Sequence, residues 1–250
     1  MPSEEPVLVA PEEVAPSAVC EGGDLDCGSG LLLVIRRAMQ RVASGDVLEI
    51  RSTELSVRED LPAWCRLTAN PYLGWREGER SHRFFVRNGG TESSDTADAD
   101  AAARAYRWRV RARGVPGRAT VYARNHRWEV GQPASFDVRD DAPSAIEYVL
   151  GALAAALATG LRLRASRENV EIADVEVSLN AGLENVFAFI GDERDRGHSG
   201  MSDIGGSVYV RSGADAAVLH RLWSETLDVS PIHNSLIHPV KIDVELKSST

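Results

Sequence analysis

The sequence predicts two α/β domains in series. The first reads as an α/β two-layer β-α-β-α-β-β sandwich, the second as an α+β domain around a buried central helix. Three observations carry this expectation. Residues 19–90 alternate between helical and strand periodicity, residues 91–104 are small and acidic, and residues 146–161 form an apolar helical run flanked by strand patterns.

Residues 1–18 are mainly Pro, Glu, Ala and Val without a sustained period and are expected to be a disordered acidic tail. A short strand near Val19 opens the first domain, residues 19–90. Leu31, Leu32, Ile35, Met39 and Val42 then follow helical spacing, and Gly45 stops the helix. Residues 46–52 alternate as a strand. Residues 57–67 read as a second helix with Pro62 near its first turn, and strands follow around 72–75 and 82–87. Residues 91–104 cannot build a core and read as the linker. In the second domain, residues 105–250, Tyr106, Trp108, Val110 and Ala112 alternate with four arginines, which predicts a strand with its aromatic side toward the core. Residues 118–130 and 134–138 continue it. Ser144 and Glu147 have capping-box spacing ahead of the 146–161 helix. That helix is apolar nearly all round and is expected to be buried on both sides. Strands are expected at 170–179, 186–190 and 206–211, a helix around Val218–Trp223, and a closing strand in which Val240, Ile242, Val244 and Leu246 alternate.

Composition narrows the function. The apolar fraction of 43% and charged fraction of 26% are those of a globular protein. No unbroken apolar stretch reaches the ~20 residues of a membrane helix, the nearest being 148–158, so no membrane association is expected. Residues 1–26 hold seven carboxylates and no basic residue, and no secretory signal is apparent. Three cysteines argue against a disulfide framework, which points to the cytoplasm. Residues 104–130 hold eight arginines against Glu129 alone. The net charge of −9 argues against nucleic acid as a partner, and the arginines read as a solvated strand face. His198, His233 and His238 match no metal-ligand spacing and read as loop residues, so neither a metal nor another cofactor is expected.

The chemistry concentrates on Cys27, which stands in Cys27-Gly28-Ser29-Gly30 just before the first helix. A helix start carries about half a positive charge and unpaired N–H groups, which favour a thiolate, while Asp24 and Asp26 oppose it. Cys65, beside Trp64 on the second helix, reads first as a buried core thiol and only secondarily as reactive. Cys20 lies in or beside the first strand. Residues 27–65 resemble the TusA-like sulfur carriers, which accept a persulfide on the cysteine of a Cys-Pro-x-Pro motif. The resemblance rests on Gly45-Asp46-Val47-Leu48 followed by Asp60-Leu61-Pro62-Ala63-Trp64-Cys65, and on Glu21 ahead of the thiol. It implies Cys27 as the persulfide carrier and a sulfur donor or acceptor protein as partner. Gly28 and Gly30 stand in place of both prolines, and Asn70 where the family often has His.

The second domain resembles the OsmC/Ohr family, through residues 142–156 and Leu227-Asp228-Val229-Ser230-Pro231-Ile232. That family reduces organic hydroperoxides with two cysteines and forms intertwined homodimers. Here Ala156 and Ser230 occupy the two cysteine positions, and Glu147 lies one residue after the family's acidic position. The resemblance therefore implies a homodimer with a degenerate pocket around Ala156, Ser230 and Glu147, without thiol peroxidase chemistry. Three functions remain: a cytosolic sulfur-handling protein using Cys27, a non-enzymatic dimeric binding module, or a hydroperoxide reductase using Cys27 and Cys65. The last is disfavoured by the missing cysteines. The sequence does not decide whether the protein is an enzyme.

Overall fold

A computed structural model describes residues 14–90, 101, 103–132, 141–238 and 240–248. The chain divides into two compact units: unit 1 runs to Arg107 and includes Leu163–Glu171, and unit 2 comprises Trp108–Arg162 and the chain from Ile172 onward.

Unit 1 has the expected β-α-β-α-β-β order: β1 (Ala18–Gly23), a π-helical turn (Cys27–Leu31), α1 (Leu32–Met39), β2 (Val47–Ser52), α2 (Val57–Leu67), β3 (Tyr72–Glu77) and β4 (His82–Arg87). The strands form one sheet in the order β1-β2-β4-β3, with β1 and β2 parallel and the other pairs antiparallel. Strand side chains alternate between faces. Leu48, Ile50, Phe84 and Val86, all fully buried, meet Ile35 of α1 and Leu61 and Trp64 of α2, so both helices cover one face. The opposite face is closed differently. Phe85 packs with Val47, Val14 and Leu73, beneath the guanidiniums of Arg76 and Arg83 at 4.8 and 5.5 Å. Beside it the buried Glu49 receives Arg83 Nε and Arg51 Nε at 2.7 and 2.6 Å, and Arg51 reaches on to Glu21 at 2.9 Å. Pro62 lies inside α2, just after its first turn.

Unit 2 contains β5 (Arg111–Val115), β6 (Arg118–Ala123), β7 (His126–Val130), all but the last turn of α3 (Ala145–Arg167), β8 (Ile172–Leu183), α4 (Val186–Ile190), β9 (Met201–Ser212), α5 (Ala216–Val229) and α6 (Pro231–Ile237). β5, β6 and β7 make one antiparallel sheet, and β8 with β9 a long hairpin. The Tyr148 hydroxyl donates to the Glu129 carbonyl at 2.7 Å, tying α3 to β7.

Four sequence expectations change here. The first strand begins only at Arg111, and Trp108 is 85% exposed rather than facing a core. Residues 186–190 are helical rather than a strand, because the Asn185 side chain accepts from Ala188 N at 2.9 Å and Gly191 closes the turn at φ 84°. The α3 helix is longer than expected and buries one side only: Leu153, Leu157 and Leu161 point inward, while Ala152, Ala155 and Thr159 are exposed. By length and composition it could also cross a membrane. The closing segment at 240–246 pairs with no strand among the described residues, and Ile242, Val244 and Leu246 are 80–93% exposed. The expected strand at 134–138, most of the tail and most of the linker lie outside the described residues.

Candidate functional site

The site begins with a backbone departure. Cys27 does not start an α-helix. It opens a π-helical turn in which Gly30 sits at φ 118°, and α1 proper begins only at Leu32. Glycine tolerates this left-handed conformation, whereas proline is locked near −65° and could not adopt it. Gly30 thus shapes a turn that the proline motif could not form at that position.

The electrostatics follow from the same turn. Cys27 is half-buried and packs against the unit 1 core. Its thiol donates a hydrogen bond to the Asp60 carboxylate, and Asp26 adds a second nearby negative charge. Burial first, then these two carboxylates, push the thiol up to about 11. The helix-start stabilisation expected from the sequence is therefore outweighed. At pH 7 the thiolate fraction is about 10⁻⁴.

Leu61, Trp64 and Cys65 share one helical face and are 0–6% exposed, forming the core contact of α2. Asp60 leads this group from the first turn and reaches the thiol. Sequence reasoning used Asp60 as part of a pattern but missed this contact. Cys65 is a core thiol, pushed up to about 12 by burial, and Cys20 is likewise buried and raised to about 11. All three cysteines are free. Asn70 holds a turn: its backbone N–H donates to the Cys65 carbonyl at 3.1 Å, and its side chain accepts from Gly89 N at 3.0 Å.

Two of the three positions singled out in unit 2 cap helices. Glu147 Oε2 accepts from Ser144 N at 2.7 Å and Ser144 Oγ accepts from Glu147 N at 3.3 Å, a complete capping box. Ser230 is buried and caps α6 by accepting from His233 N at 3.4 Å, with Pro231 in the first turn. Ala156 offers a half-buried methyl group on α3. None of these three residues lines the large cleft of this unit. Among the described residues no three His, Cys, Asp or Glu side chains gather as a metal site.

The family model described as OsmC-like protein matches residues 138–245. Unit 2 carries an OsmC-like domain. The N-terminal region matches YrkF of Bacillus subtilis (strain 168), named as a candidate sulfur carrier protein, with 37% identity over 62 residues. That stretch is 25% of this chain and 34% of YrkF, so the chain spans about a third of that relative's length. Among solved structures, an OsmC-like protein from Mycoplasma pneumoniae is 13% identical with a TM-score of 0.46, covering 54% of this chain and 90% of its own. The organic hydroperoxide resistance protein OhrB of Bacillus subtilis is 20% identical with a TM-score of 0.38, covering 57% and 98%. The OsmC-like domain and the sulfur-carrier relative support a sulfur- or redox-related role in general.

Proposed function

We propose that unit 1 is a sulfur carrier in which Cys27 takes up one sulfur atom as a persulfide. The carrying observation is that Cys27 is the only one of the three thiols that is not buried, and it is held by the Asp60 of the matching motif. In the transfer the Cys27 sulfur attacks the terminal sulfur of a donor persulfide. A new S–S bond forms as the donor's S–S bond breaks, and the donor leaves as a thiol carrying the proton released by Cys27. No net oxidation occurs. Asp60 holds the thiol proton before attack, so a donor protein that brings a positive charge to this rim would favour the step. Three free thiols suit a reducing compartment, and the proposal puts the protein in the cytoplasm.

Unit 2 contains no cysteine, so thiol peroxidase chemistry is not proposed for it. Its role in this reading is assembly as a homodimer. Trp108 and the 240–246 segment are the kind of apolar surface that a second copy covers.

Incubation of the full chain with a cysteine desulfurase and cysteine, followed by peptide mass spectrometry, tests the carrier. A +32 Da adduct on Cys27 that is lost in Cys27→Ser is expected. Absence of added sulfur on every cysteine overturns it. The second reading, a binding module without sulfur chemistry, is favoured by the raised Cys27 thiol and would then stand.

A further inference from the structure

Unit 1 is completed by a piece of chain from far along the sequence, Leu163–Glu171. This piece begins as the last turn of α3, where Ala165 is buried, and the helix ends in a closed cap. Val170 N donates back to the Ala165 carbonyl at 2.9 Å, and Asn169 takes the left-handed conformation at φ 56°. The cap fixes the positions of Ser166 and of the Asn169 carbonyl.

Those two groups reach opposite edges of one end of the sheet. Gly23 pairs with Ser52, Ser52 with His82 and His82 with Glu77, so the ends of β1, β2, β4 and β3 lie in one row. At the β1 edge Ser166 Oγ accepts from Asp24 N at 3.2 Å. It also lies 3.0 Å from Asp24 Oδ1 and 3.0 Å from the Leu163 carbonyl, and shares its one proton between them. At the β3 edge Arg80 Nη1, in the β3–β4 turn, donates to the Asn169 carbonyl at 2.9 Å. The approach to β1 is close. Gly23 has φ 60°, and a Cβ there would collide with Ser166 Oγ and come within 3.1 Å of Arg167 N.

Asp24 stands three residues before Cys27, at the start of the turn that carries the thiol. The sheet holds this turn at Gly23, whose carbonyl accepts from Thr53 N at 2.8 Å. Ser166 adds a second hold, on both the backbone and the side chain of Asp24.

We infer that Leu163–Glu171 is a strap on the Cys27 turn, in which Ser166 is a positioning residue that keeps the thiol against Asp60. When the strap is loosened the turn moves, the thiol leaves the carboxylate and its sulfur is easier to reach. The last turn of α3 thus serves the carrier thiol, although the rest of the helix belongs to unit 2. The inference rests on Cys27 as the working thiol, but alkylation reports its position whether or not it takes up sulfur, so this test and the persulfide test fail separately.

Iodoacetamide labelling of the full chain at pH 8, read for each cysteine by peptide mass spectrometry, decides it. Ser166→Ala is expected to speed labelling of Cys27 about fivefold, the size of one ordinary hydrogen bond, with Cys20 and Cys65 still protected. Asp24→Asn, which keeps an oxygen acceptor for Ser166, should stay within about twofold of the parent. In an Asp60→Asn background the gain from Ser166→Ala should fall below about twofold, because the two residues act on the thiol through one contact. No rise at Cys27 in Ser166→Ala, or a rise at Cys20 and Cys65 as well, overturns the inference. So does an Asp24→Asn variant as fast as Ser166→Ala, or an undiminished gain in the Asp60→Asn background.

Discussion

Unit 1 closes both faces of its sheet, whereas unit 2 leaves apolar surface uncovered. In unit 1 the helices bury Leu48, Ile50, Phe84 and Val86, and the other face is sealed by Phe85, arginine stems and a buried ion network. In unit 2 every residue of β5 is exposed, the alanine side of α3 is open, and the 240–246 segment has no ladder partner among the described residues. The same apolar alternation thus has opposite outcomes. Where an intramolecular layer exists the residues become core, and where none exists they stay exposed.

The sharpest way to break the closed unit is through its buried charge. Glu49 is 1% exposed. Burial alone raises its carboxyl, but hydrogen bonds and charge from Arg83 and Arg51 outweigh this and hold it below the usual carboxylate value. Glu49→Gln leaves both guanidiniums without their shared anion. A loss of about 2 kcal/mol is expected, below the ~3–5 kcal/mol of a fully buried pair because both arginines keep solvent contact. The sign with pH follows from the depressed folded value. Stability from Glu49 is present above the ordinary carboxylate pKa and is lost as pH falls through the lower folded one. Urea unfolding across that acid range, followed through the protection of Cys20 and Cys65 from 4,4′-dithiodipyridine, which modifies thiols in acid, checks both points. A glutamine variant that matches the parent at neutral pH would remove this face from the account of stability.

A smaller effect is expected at the thiol. Asp60→Asn removes a neighbouring negative charge and converts the ionised acceptor to an amide, while burial, the larger cause, stays. The Cys27 pH profile should move down from about 11, and alkylation by iodoacetamide at pH 8 should speed up about tenfold. Cys65 should remain unreactive in the same digest. An unchanged Cys27 profile would mean that the contact with Asp60 does not govern the thiol.

Much of unit 1 was legible because its signals are local and agree with one another. Period-two strands, the Gly45 stop and the α2 face of Leu61, Trp64 and Cys65 all point to one fold. The Cys27–Asp60 contact was not legible, since it joins residues distant in the chain through a turn that Gly30 reshapes. Residues 186–190 misled because their apolar and aromatic composition suits a strand, and the Asn185 cap and Gly191 decided otherwise. In α3 an all-apolar pattern gave no sign of which side would be covered, because alanine is compatible with either. The Ser144–Glu147 box, by contrast, was read correctly from spacing alone.

The smallest expected change in folding comes from the open unit, and it sharpens the comparison most directly. Ile242 is 80% exposed, so Ile242→Asp loses few contacts within its own chain and should shift monomer stability by no more than about 0.5 kcal/mol. If a second copy covers this segment, the same charge is buried in the interface and the assembly comes apart. Light scattering should then report a dimer for the parent and a monomer for the variant. The unfolding midpoint of unit 2 should rise with concentration in the parent only, since association stabilises by mass action. Protection of Cys65 in unit 1 should be the same in both proteins, because its core is complete without a partner. A parent that is monomeric, or a variant that remains dimeric, would mean that the apolar surface of unit 2 is covered in some way other than by this segment of a second copy.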